Sequence, residues 1–300
     1  MAATTSPEGT AATTSTTAEN SEKKKTWTWT DARRTLFPIH GDQEVHKFLL
    51  IGSIKFFIIL ALTLTRDTKD TLVVTQCGAE AIAFLKIYGV LPAATAFIAL
   101  YSKMSDMMSK TTPFYATCVP FFSFFLLFDM FIYPNADRLQ PSLSAVQAML
   151  PGNAQSGGMA VMANILAHWT SALFYIVSEI YSSVSVGLLF WQFANDVVPV
   201  DQAKRFYPLF AQMSGLAPVL AGQYVVRFAS KANDFGSSMH RLTALVTFAG
   251  IMICVFYNAS VKYVAKTDGI QLDASSTSPD GQKKKKPKMS MVESIKFLAS

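Results

Sequence analysis

The apolar residues of this chain fall in long runs. Six of them approach the length a helix needs to cross a bilayer: residues 48–65, 81–101, 114–133, 169–191, 206–226 and 242–261. Each holds 18 to 23 residues, and a helix rising about 1.5 Å per residue crosses about 30 Å of hydrocarbon in about 20. The pattern predicts an all-α membrane protein whose six transmembrane helices occupy 48–264. Residues 1–47 read as a tail with an amphipathic lead-in. Their first 30 residues hold 13 Ser or Thr and no apolar run, which predicts disorder and no secretory signal. The longest internal connection, 134–168, contains a short helix opened by Pro141 and Ser142 and closed by Pro151 and Gly152. Residues 265–288 are a polar linker rich in lysine.

Composition sharpens this. Hydrophobic residues make up 51% of the chain and charged residues 15%, against about 25% charged in soluble domains. The net charge of +6 raises nucleic acid as a partner. The cations, however, lie at the ends and between the apolar runs, so the partner expected is the lipid bilayer, with no nucleic acid. Seventeen Lys and Arg fall on the face that holds both termini and six on the other, a positive-inside bias. Cys77, Cys118 and Cys254 have neither disulfide nor metal-ligand spacing. The chain lacks a phosphate-loop motif, a nucleophile elbow and a histidine metal set, so no enzyme activity, metal or cofactor is expected.

Charges inside the runs carry the candidate chemistry, because a charge at mid-bilayer costs on the order of 2.5–3.5 kcal/mol on insertion scales. Glu179 lies near the middle of the fourth run, about 15 Å deep by helix rise. Ser178, Ser182 and Ser185 add a hydrophilic stripe facing a cavity or another helix. A structural ion pair with a lysine is the plain alternative. Lys55 and Lys86 sit in the first two runs, where snorkelling to the interface competes with a binding role. Thr65 to Asp70 closes the first run with Arg66 and Lys69, and Arg66–Asp70 has the i,i+4 spacing of an ion pair. The cations of the first two runs exceed what Glu179 alone neutralises, which implies an anionic substrate. Phe84 and Tyr88 are candidates for an aromatic wall. Asp129, near the end of the third run, reads as structural, with its carboxylate reaching the headgroups.

Ser294-Ile295-Lys296-Phe297 repeats Ser53-Ile54-Lys55-Phe56, each opening an apolar segment after a basic stretch. Residues 289–300 therefore read as the start of the first helix of a second half. The chain is expected to be the N-terminal half of a two-half transporter. The alternative is a complete six-span protein with an interfacial C-terminal helix.

Several segments carry a family resemblance: Leu64 through Thr75, Gly78 through Lys86, Gly89-Val90-Leu91-Pro92-Ala93, Tyr101-Ser102-Lys103-Met104-Ser105, Leu173-Phe174-Tyr175 through Glu179, Leu189 through Asn195, and Val200 through Phe210. Over residues 36–300 the chain resembles the plastid and intracellular-bacterial ATP/ADP translocases, the nucleotide transporter family, and is most similar to diatom plastid members. The resemblance implies a twelve-span, major-facilitator-like transporter in a plastid (chloroplast) envelope. Such a protein exchanges ATP for ADP or imports nucleoside triphosphates with protons, by alternating access. It implies nucleotides as substrates, the missing C-terminal half of the same polypeptide as partner, and functional charges at the positions of Lys86 and Glu179. Arg66, Lys69 and Lys55 are the further substrate-binding or coupling candidates. A membrane scaffold without transport, or a transporter of another phosphorylated anion, remains the alternative.

Overall fold

The computed structural model describes residues 39, 41–150, 156–232, 234–270 and 272. In chain order the helices are α1 (Asp42–Cys77), α2 (Ala81–Met107) and α3 (Thr112–Ile132). After a single helical turn at Ala136–Leu139, two connecting helices follow, α4 (Leu143–Met149) and α5 (Gly157–Ala167). The chain then runs through α6 (Trp169–Val197), α7 (Val200–Ala229) and α8 (Phe235–Thr267). The six long ones are long and apolar enough to cross a membrane. Each exceeds the apolar run that predicts it, because hydrophobicity marks only the hydrocarbon-depth part of a helix while backbone hydrogen bonding carries it onward. The lysine run at 283–288 and the segment 289–300 lie outside the described residues.

The charged turn at Arg66–Asp70 does not end α1. The helix continues to Cys77 and stops at Gly78, whose φ of +88° is a left-handed value that glycine adopts without a Cβ clash. At the other end, Asp42 and Glu44 occupy the first turn, where the helix dipole favours acids. Ser142 caps α4 by accepting from the Ala145 N–H, as its sequence signature predicts. The second connecting helix, α5, also has a serine at its N-cap, but the Ser156 side chain makes no capping bond.

α1 is the axis of the bundle. It packs against α8, α7 and α6. Ile51, Ile54, Ile58, Ala61 and Leu64, spaced three or four apart, are all at most 1% exposed. Between apolar helices in lipid, close packing rather than a hydrophobic drive holds the contact. Rings supply much of it: Phe48 stacks on Phe210, Phe114 stacks on Tyr257 at 3.7 Å, and Tyr181 meets Phe121, Phe122 and Phe125 edge-on. At the lysine-rich face, polar contacts join three helix ends. Arg205 donates to both Glu44 oxygens at 3.0 and 3.1 Å, and Lys47 reaches Asp268 at 2.5 Å and Gln202 at 3.3 Å. At the opposite face α5 covers the ends of α1 and α6. Its Ile165 joins Val73, Cys77, Ala81, Leu85, Ala172 and Tyr175 in one cluster. That cluster fixes the ring of Tyr175, which the next section shows to be part of the charged centre.

Candidate functional site

Lys69 is 3% exposed although it lies in a membrane-spanning helix. Its Nζ donates to Asp70 Oδ1 at 2.7 Å and lies 3.3 Å from Glu179 Oε1 on α6. The same ammonium sits 4.2 Å from the centre of the Tyr175 ring. The Tyr175 hydroxyl in turn donates to Glu179 Oε1 at 3.3 Å. Tyr175 and Glu179 are four apart on α6, so one helical face presents both to α1. Burying an ammonium costs several kcal/mol unless it is paired and hydrogen-bonded. Two carboxylates and a ring face offset that cost here. Glu179 is therefore paired with a lysine, as the plain alternative has it, and the partner is Lys69.

The pairing leaves other predicted charges apart. Asp70 turns to Lys69 rather than to Arg66, and the i,i+4 pair expected from the spacing does not form. Arg66 and Asp67 are exposed, with Thr71 and Thr75 following on the same side of α1. An exposed polar stripe on a spanning helix is incompatible with hydrocarbon, so it faces water or protein. Glu179 keeps 22% of its side chain exposed while its Oε1 meets Lys69. Lys86 is exposed, inside a π-helical stretch of α2 (Leu85–Val90), and makes no ion pair among the described residues. It is not brought to Glu179. Beside it the Phe84 and Tyr88 rings lie 5.9 Å apart, with Tyr88 65% exposed. Ser178 and Ser185 are each 1% exposed, so the serine stripe of α6 faces neighbouring helices and not the open side.

Lys55 is different. Its side chain is buried, and its Nζ lies 4.6 Å from the Trp191 ring centre and 5.3 Å from that of Phe190. Among the described residues no carboxylate pairs with it. The charge balance expected from sequence is thereby corrected. Asp67, Asp70 and Glu80 join Glu179 against Lys55, Arg66, Lys69 and Lys86, four against four. Of these cations, Lys55 is the buried one without a carboxylate partner among the described residues.

Asp129 has a partner within the bundle, in keeping with a structural role. It is 6% exposed in a π-helical turn ending α3 (Phe128–Ile132), where its Oδ2 meets His240 Nδ1 of α8 at 2.7 Å. Sequence reasoning missed this pair, since 111 residues separate its members. It missed Tyr175 as well, for which the Tyr-x-x-x-Glu spacing was the available signal.

A sequence model of the TLC ATP/ADP transporter family matches residues 20–300. The chain belongs to the TLC ATP/ADP transporter family. Among curated relatives, "ADP,ATP carrier protein 1" of Chlamydia muridarum is 37% identical over 278 residues, 89% of this chain and 50% of that protein. "ADP,ATP carrier protein 1, chloroplastic" of Arabidopsis thaliana is 37% identical over 264 residues, 85% of this chain and 40% of that protein. "ADP,ATP carrier protein 4" of Rickettsia conorii is 34% identical over 289 residues, 94% of this chain and 55% of that protein. The chain thus spans about half the length of the curated relatives it matches. No solved structure matches it. Membership in this family and six apolar helices make it a multi-pass membrane protein.

Proposed function

We propose that the chain forms one six-span half of a nucleotide transporter that works by alternating access. In this reading it exchanges ATP for ADP or imports nucleoside triphosphates with protons. The observation that carries this is a buried lysine–carboxylate centre beside an exposed polar stripe, in a member of an ATP/ADP transporter family. Arg66 and Lys86 have exposed charges and suit substrate phosphates as point or forked donors. Lys69 and Glu179 form the coupling element. A polyphosphate arriving at the open side competes with Glu179 for Lys69, and release of Glu179 loosens α6 from α1. A second six-span half of the same polypeptide completes the path in a major-facilitator-like arrangement, which the doubled length of the relatives supports. The plastid relative supports a plastid envelope as the location.

The test uses the full-length transporter in lipid vesicles. Uptake of labelled ATP should rise with preloaded ADP if it exchanges, or follow an imposed proton gradient with empty vesicles if it imports. Glu179→Gln should keep nucleotide binding and lose the dependence on counter-substrate or gradient. No uptake in either mode would refute the transport reading.

A further inference from the structure

Two lysines of α1 face α6, and the seam treats them oppositely. Lys55 and Lys69 are 14 residues apart, 40° short of four full turns, so they share one face about 21 Å apart. α6 runs antiparallel along them, placing Glu179 and Tyr175 at Lys69 and Phe190 and Trp191 at Lys55. Lys69 has two carboxylates; Lys55 has ring faces only. A desolvated cation–π contact is worth about 2 kcal/mol, less than the several kcal/mol of burying an ion. Lys55 is 6% exposed, and no carboxylate or hydrogen-bond acceptor meets its Nζ among the described residues. The Nζ is not among the sealed polar atoms without a partner, so the tip of the side chain keeps access to solvent. A nearly buried ammonium without a carboxylate, on the same seam as the proposed site, is suited to an anion that comes and goes.

We infer that Lys55, backed by Trp191, is a second station for a phosphate-bearing anion, on the lysine-rich side of the Lys69–Glu179 centre. The two stations hold the phosphate group in turn as the transporter passes from one facing state to the other. Trp191 is half-buried, and its outer edge is braced by Tyr207 at 5.0 Å between ring centres, which keeps the ring under the ammonium. The inference rests on the transport reading above for its order of events, while the anion site itself stands on the geometry.

The experiment compares the full-length transporter with Lys55→Met and Lys55→Arg in oriented vesicles. The apparent KM for ATP is measured at each face, with ADP on the other side. Lys55→Met should raise KM at the lysine-rich face about tenfold and leave the opposite face within about twofold, and Lys55→Arg should restore most of the loss. Equal KM changes at both faces, or none at either, overturn the inference. Thermal midpoints separate a structural role. Removal of an unpaired buried charge should leave Lys55→Met at least as stable as the parent, whereas a lowered midpoint with unchanged KM values makes Lys55 a packing residue. Binding of inorganic phosphate to the solubilised protein is measured in parallel. One site should be lost in Lys55→Met, and retention of every site overturns the station whatever the nucleotide data show. A parent that moves no nucleotide at all refutes the functional reading, while the phosphate titration still decides the site.

Discussion

Removing Lys69 leaves two carboxylates facing each other across the α1–α6 seam, and its cost follows from their geometry. At 3.3 Å and an effective dielectric near 20, the Lys69–Glu179 attraction is about 5 kcal/mol before desolvation is subtracted. Asp70 competes for the same ammonium at 2.7 Å, and Asp70 and Glu179 keep 44% and 22% of their side chains exposed, so water screens both. A net coupling of about 2 kcal/mol between Lys69 and Glu179 remains, roughly a 30-fold effect on an equilibrium. Lys69→Met alone should destabilise by about 2–3 kcal/mol, below the usual 3–5 for a wholly buried pair. Glu179→Gln should cost less, because Asp70 still holds the lysine. The double variant should recover most of the loss. The assay is a double-mutant cycle on reversible unfolding of the solubilised protein in mild detergent, with helicity as the readout. A coupling below about 0.5 kcal/mol would show that the contact does not carry the energy assigned to it, and with it the proposed competition by phosphate would fall.

Other outcomes follow from separate contacts. Lys86→Ala should change stability by less than about 0.5 kcal/mol, since an exposed residue without an ion pair is being removed, while ATP uptake by the full-length transporter falls; unchanged uptake removes Lys86 from the site. Gly250→Ala places a Cβ 2.4 Å from Phe122 Cγ, so the ring, 7% exposed and packed edge-on against Tyr181, must shift. Overpacking of this kind costs about 1–3 kcal/mol; a lowered thermal midpoint is expected, with recovery in a Gly250→Ala, Phe122→Leu double variant. Asp234 caps α8, accepting from the Ser237 hydroxyl at 2.6 Å and the Ser237 N–H at 3.2 Å, and these bonds hold its carboxyl below the ordinary aspartate value. A depressed value means the cap stabilises above the unfolded pKa of about 3.9 and is lost as pH falls through the folded one. Hydrogen-exchange protection in the first turn of α8, corrected for the intrinsic slowing of exchange in acid, should therefore fall below about pH 4 in the parent and lose that acid dependence in Asp234→Asn.

The six spans were legible because each is a run of apolar residues, and a run needs no knowledge of its neighbours. The helix ends were less so. α1 outruns its apolar segment to Cys77, and within that extension Lys69 finds Glu179 on α6, which a single-helix reading cannot see. α5 was missed for a related reason: it is short, its N-cap side chain makes no capping bond, and it is held by burial of Ile165 against the ends of α1 and α6. In the site, Glu179 and the four cations could be picked out by residue type and depth alone. Which cation meets Glu179 could not, because the choice depends on the rotation of α6 about its axis.

That rotation has a consequence for how a charge inventory should be read in a membrane protein. Counted along the sequence, the cations of the first two spans form a general surplus that points to an anionic substrate anywhere among them. Placed in space, Lys69 is paired, Arg66 and Lys86 are exposed, and Lys55 is the buried cation with ring faces at 4.6 and 5.3 Å and no carboxylate partner among the described residues. A bilayer makes an unpaired charge expensive, and an apolar side chain at that position would avoid the cost. The cost of an ammonium there is offset if a counter-charge arrives from outside the chain. On the inference above, the anion meets Lys55 at one end of the seam, while the other end already holds Glu179, the carboxylate that such an anion would have to displace.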